Sequence, residues 1–251
     1  MATAPRPARP SRAIEAQEGV KDLILRRGLM AGDPLPTESE LMEELQVSRN
    51  SIREALKALQ AVGIVDIRHG FGMFVGSMSL AGLVNELTFH SRITLQNGAN
   101  HLAHLVEIRE ILESGLMERL IELGPQADLT AVADVMARME AEAEAGLVSP
   151  ETDRLFHDLL YRPLGNPVVS RLLGAFWEVY YQLRDALGAP DEPPADVAKR
   201  HRDIHSAVVK GDRAAAVAAV HAHFEGVRNR AARIGRHEPT DPPAHPAGEP
   251  G

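Results

Sequence analysis

Thr37-Glu-Ser-Glu40, Val47-Ser-Arg49 and Ile52-Arg-Glu-Ala-Leu56, followed by Ile64-Val-Asp-Ile67 and His69-Gly-Phe-Gly72, decide how the first third of the chain folds. A hydroxyl residue followed three positions later by Glu is a capping box, so Thr37 opens a short helix that carries Leu41, Met42 and Leu45. Val47 breaks that helix. Ser48 then caps a longer one, Arg49–Ala61, whose Ile52, Ala55, Leu56 and Leu59 share a face. Gly63 ends it, and residues 64–67, 68–72 and 73–75 read as strand, glycine turn and strand. Upstream, Ile14, Val20, Leu23 and Ile24 fall near helical spacing over 11–27, closed by Gly28, and Gly32-Asp-Pro-Leu-Pro36 cannot be regular. Three helices and a hairpin make a winged helix-turn-helix over 12–76, with the third helix placed to enter a major groove.

Downstream of Gly76 the β signal disappears. Helices are expected at 79–95, 101–123, 127–146, 151–161, 167–187, 195–210 and 212–234, separated by breakers such as Gly124-Pro125, Ser149-Pro150 and Asn166-Pro167. The fold class is therefore mainly α: a winged domain with a small hairpin, then an all-helical bundle of six or seven helices over 79–234. Residues 1–11 and 235–251, rich in Pro, Ala and charge or His, read as disordered tails. The 251 residues carry 27 Lys plus Arg against 35 Asp plus Glu, a net charge of −8. All of that surplus lies beyond residue 80, so any nucleic-acid site is local and N-terminal. No cysteine is present, which excludes disulfides and thiolate metal sites, and no apolar run suits a secretion signal or a membrane span. A cytoplasmic location is expected.

Arg49, Arg53 and Lys57 recur every four residues and form a cationic stripe opposite the apolar face of the third helix. The turn of the hairpin adds Arg68 and His69 beside Gly70, where backbone can approach a phosphate. Periodicity alone leaves open whether this stripe binds DNA or only solvates the helix, for instance by pairing with Glu54. Leu35-Pro-Thr-Glu-Ser-Glu-Leu41, Val47-Ser-Arg49, Ile52-Arg-Glu-Ala-Leu56, Leu59, Gly63 and His69-Gly-Phe-Gly72 stand in an order and spacing that resembles the GntR-type winged helix. That resemblance implies operator contacts at Arg49, Arg53, His69 and Gly70. Ser39 departs from it, standing where relatives usually carry a basic residue.

In the helical part, Asp153 and His157 lie four residues apart on one helix face and can offer an oxygen and an imidazole to one ion. Gly211-Asp212 makes a tight turn between two long helices. His201 and His223 stand ten and eleven residues from it, hence at nearly equal height, roughly 15 Å away at ~1.5 Å per residue. An Asp and three His suit a divalent ion such as Zn, Ni or Mn with positions left for a ligand. Spacing leaves His205 and His221 open as ligands or surface residues, and His201 with His205 as a competing pair.

Glu107-Ile-Arg109 with Glu113, Asp153-Arg-Leu-Phe-His157, Asn166-Pro167, His201-Arg-Asp-Ile204, Gly211-Asp212 and His223 resemble the FCD effector domain of the FadR subgroup. The resemblance implies metal binding by Asp153, His157, His201 and His223, an organic acid completing the coordination, and Arg109 in the effector pocket unless it pairs with Glu113. The expected protein is a homodimeric transcription regulator, a repressor that leaves its double-stranded operator when a small carboxylate binds. It is not expected to be an enzyme, since no general base or nucleophile motif accompanies the cluster. A metalloenzyme and a regulator that senses the metal itself are the alternatives.

Overall fold

The computed structural model describes residues 12–96, 101–124, 127–187 and 192–234, so both expected tails lie outside the described residues. The chain forms two compact units, residues 1–82 and 83–251. The first holds α1 (Arg12–Arg26), α2 (Glu38–Leu45), α3 (Arg49–Ala61), β1 (Val65–Arg68) and β2 (Gly72–Val75). Its core is Ala16, Val20, Leu23, Leu41, Ile52, Leu56, Leu59 and Val65. Ala16 takes the place expected for Ile14, which is 48% exposed, because Ile14 lies off the stripe that Ala16, Val20, Leu23 and Ile24 define.

Thr37 caps α2 as the sequence demands: its hydroxyl accepts from the Glu40 N–H, while the Thr37 N–H donates to Glu40 Oε2 at 2.7 Å. The helix ends at Leu45, two residues before Val47, and its C-cap Gln46 adopts a left-handed conformation with φ 53°. β1 and β2 pair antiparallel, Val65 opposite Val75 and Arg68 opposite Gly72. The Gly32–Pro36 stretch, read as irregular, is partly extended. Pro34 bridges Phe74, and Leu35 N–H donates to Met73 O at 2.8 Å, an edge position that tolerates proline. Gly76 then passes so close to Gly63 that a Cβ there would meet its carbonyl oxygen at 2.0 Å.

The division between the units falls in the first turn of α4 (Ala81–Gln96). The second unit continues with α5 (His101–Leu123), α6 (Thr130–Glu144), α7 (Pro150–Tyr161), a 3-10 turn at Arg162–Leu164, α8 (Pro167–Leu187), α9 (Pro194–Lys210) and α10 (Arg213–Ile234). α10 packs on α5 and α9, α6 on α7 and α9, and α7 on α8. α6 starts three residues later than expected because Asp128 Oδ1 takes the Thr130 N–H at 3.0 Å. Among the described residues no helix is long and apolar enough to cross a membrane.

Candidate functional site

Gly211, with φ 68°, closes α9, and Asp212 Oδ1 accepts the Ala215 N–H at the head of α10. The two helices therefore meet as a hairpin, and the His201 and His223 rings lie 4.5 Å apart. α7 brings His157 to within 5.5 Å of the His201 ring and 4.9 Å of the His223 ring. One donor atom from each of Asp153, His157, His201 and His223 falls within 4.8 Å of the other three. Four residues from three helices thus converge, as the spacing suggested.

Hydrogen bonds on the far side of each ring decide what faces the centre. His201 Nδ1 donates to the Val197 carbonyl at 2.8 Å, and His157 Nδ1 donates to Glu113 Oε2 at 2.7 Å. Burial opposes ionisation of Glu113, but His157 and Arg109 beside it outweigh that and hold its carboxyl well below the usual range, so it can only accept. An imidazole that donates through Nδ1 and holds no second proton presents a lone pair at Nε2. Both Nε2 atoms are buried and lack a hydrogen bond. His201 Nε2 stands 2.8 Å from Asp153 Oδ1, close but not aligned to bond with it. Burial lowers the His223 pKa well below the ordinary value, so this imidazole is neutral. Asp153, opposed by burial, is kept ionised by the imidazoles around it, His201 foremost. Convergent lone pairs with no proton between them fit a divalent cation, and the nitrogen and oxygen donors suit zinc, nickel or manganese.

Asp153 and His223 also line a cavity of about 370 Å³. Its wall includes Trp177 and Tyr181, stacked at 5.1 Å and 15°, between the Arg154 guanidinium over Trp177 and that of Arg184, 3.8 Å above the Tyr181 ring. Arg109 reaches the same cavity, and its Nε donates to Glu113 Oε1 at 2.7 Å while its guanidinium lies 5.2 Å from the Phe224 ring. His221, left open by spacing, pairs instead with Glu110 at 2.6 Å; His205 is partly buried and stands outside the group of four. The contact that spacing could not reveal is Glu113 with His157, because it joins α5 to α7 across 44 positions.

In the winged unit, Ser48 Oγ accepts the Ser51 N–H and starts α3. Arg49, Arg53 and Lys57 are exposed opposite the buried Ile52, Leu56 and Leu59. Arg53 Nε meets Glu38 Oε2 at 3.1 Å and Lys57 Nζ meets Glu54 Oε1 at 3.0 Å. Exposed pairs of this kind contribute only about 0–1 kcal/mol and exchange readily for a phosphate. His69 and Gly70 sit at the exposed hairpin tip, where Gly70 has φ 80° and open space around it.

Residues 13–75 match the family of bacterial regulatory proteins named gntR, and residues 104–226 match the FCD domain. Over 193 residues the chain is 31% identical to the HTH-type transcriptional repressor NanR of Escherichia coli O127:H6, covering 76% of this chain and 70% of that one. The chain belongs to the GntR family. Another relative of this GntR protein is the HTH-type transcriptional regulator LutR of Bacillus subtilis, 28% identical over 82% of this chain and 95% of that one. A solved structure, Streptococcus agalactiae GntR, superposes with a TM-score of 0.60 at 25% identity, covering 86% of this chain and 99% of that one. The resemblance to GntR proteins of the FadR type with an FCD domain is thus borne out, and with it the expected fold. This GntR-family protein is a DNA-binding transcription regulator, and both matched families are regulators rather than enzymes.

Proposed function

We propose that the protein is a homodimeric repressor whose winged domain, residues 12–76, binds a pseudo-palindromic operator and whose helical domain, 79–234, releases it when a small organic acid binds. Arg49 and Arg53 read the operator from α3, and His69 and Gly70 contact it from the hairpin tip. The name repressor, carried by the NanR relatives, supports the sign of regulation. Asp153, His157, His201 and His223 hold one divalent ion, zinc, nickel or manganese. Bound there, the ion would keep a net positive charge beside its one carboxylate ligand, at the edge of the cavity. The observation that carries this reading is the pair of buried, unbonded Nε2 atoms of His157 and His201, aimed with Asp153 and His223 at a common centre beside a cavity.

The chain's own residues prepare the site. Glu113 and the Val197 carbonyl fix the two ring orientations, while Glu113 also fixes Arg109 at the cavity wall, where its guanidinium can meet a carboxylate. Because α5, α7, α9 and α10 meet here, an acid that prefers one arrangement of these helices changes the operator affinity by that preference and no more. The test combines metal analysis with anisotropy titrations on a duplex selected from a random pool. Bound metal in wild type, its loss in His201→Ala, and acid-dependent release from DNA are expected. A His201→Ala variant with wild-type metal content would overturn the site, and operator release by metal alone, with no acid able to add to it, would make the ion itself the signal.

A further inference from the structure

Four arginines line the cavity beside the cluster, and three of them have a carboxylate partner: Arg109 with Glu113 at 2.7 Å, Arg200 with Glu192 at 2.7 Å, and Arg184 with the exposed Asp185 at 3.5 Å. Arg230 has no ion pair among the described residues. Its guanidinium lies 5.5 Å from the Tyr180 ring, and its Nε is buried without a hydrogen-bond partner. Partial burial lowers its pKa, as expected for a half-buried cation without a neighbouring counter-charge.

Arg230 stands seven residues beyond His223 on α10, two helical turns away on the same face, or about 10 Å along the axis at ~1.5 Å per residue. Val227 lies between them on that face, and Trp177, Tyr180 and Phe224 also line the cavity, so the space between the two polar ends is mainly apolar. A cavity of about 370 Å³ holds more than a two- or three-carbon acid.

Building on the acid-effector reading above, we infer that the effector is an elongated acid with two anionic ends and an apolar middle, one end at the Asp153 and His223 side of the cluster and the other at Arg230. Arg230 is the residue that sets length and selects for the second charge. A short monocarboxylate leaves the half-buried Arg230 unpaired, and a polyhydroxylated acid strands its hydroxyls against Val227 and Trp177.

Calorimetric titration of the full-length, metal-loaded protein with straight-chain dicarboxylates from succinate to sebacate, and with monocarboxylates of the same lengths, tests this. Affinity should rise along the dicarboxylate series and exceed that of the matched monocarboxylates about ten- to hundredfold for the longer members. Arg230→Met should remove that preference while leaving metal content unchanged, and Arg230→Lys should restore part of it. Monocarboxylates that bind as tightly as dicarboxylates, or a preference that survives in Arg230→Met, would overturn the inference and leave the acid-effector reading standing. Failure of every acid to bind metal-loaded protein would overturn both.

Discussion

At the scale of the residue, the most informative group is Glu113, which bonds His157 with one oxygen and Arg109 with the other while 1% of its side chain is exposed. Glu113→Gln keeps the shape but removes the charge that orients the His157 ring and strengthens it as a ligand. Metal affinity, measured by competition with a chelator, should fall about 10- to 100-fold; unchanged affinity would reduce Glu113 to a partner of Arg109 alone. On the DNA side, Arg49→Ala and Arg53→Ala should each weaken operator binding by about 1–3 kcal/mol, and loss of a phosphate contact should flatten the salt dependence by about one unit of slope. A folded Arg53→Ala protein with wild-type affinity would remove α3 as the reading element. Asp153, His157, His201 and His223 were legible because helical spacing and a symmetric turn place them without knowledge of the tertiary packing. Glu113 with His157 and Glu110 with His221 were not, since those contacts join residues 44 and 111 positions apart.

Elements were legible wherever their ends carry local chemistry. Thr37, Ser48 and Gly211 mark caps with side chains or a left-handed glycine, and the structure uses each of them. Gln46 and the Pro34 bridge were not legible, because a left-handed Gln and an edge-paired proline are both imposed by packing rather than propensity. The junction of α6 and α7 is a further case. Glu142 near the end of α6 accepts the Ser149 N–H at 2.8 Å, Thr152 Oγ1 at 2.8 Å and Arg138 Nε at 2.9 Å, which clamps the start of α7 and so the position of Asp153. Desolvation opposes its ionisation, but these donors win and lower its pKa to about 2. The unfolded chain therefore takes up a proton first as pH falls, so the clamp stabilises the fold fully above the ordinary Glu value near 4.3 and is lost between there and about 2. Glu142→Gln should cost about 1 kcal/mol at pH 7, a figure discounted for the carboxylate's partial exposure. Thermal melts of both proteins check it: the gap should close as pH falls from about 4 toward 2, and a pH-independent gap would assign the loss to packing instead.

At the scale of the whole molecule, the charge partition and the switch from hairpin to continuous helix were visible in the sequence, and the two compact units follow them. The self-association proposed above finds support in the structure's exposed apolar side chains. α5 buries Leu102, Val106, Met117 and Leu120, yet leaves Ile108 53% and Ile111 62% exposed on another side, in line with His104 and Gly115 at spacings of three and four. A helix that is apolar on two sides has a face left for a second partner, and in the proposed homodimer a second copy of this chain would supply it with a self-complementary surface. The proposed operator binding favours the same arrangement, because one winged domain with 10 basic and 10 acidic residues in positions 1–80 offers few phosphate contacts on its own. Ile108→Glu with Ile111→Glu should therefore give a folded monomer with metal bound at wild-type level and operator affinity reduced by at least about a hundredfold. Analytical ultracentrifugation with and without a selected duplex is the measurement. Wild type that sediments only as a monomer in both conditions would sink the dimer, whereas a variant that stays dimeric would place the interface away from this face of α5.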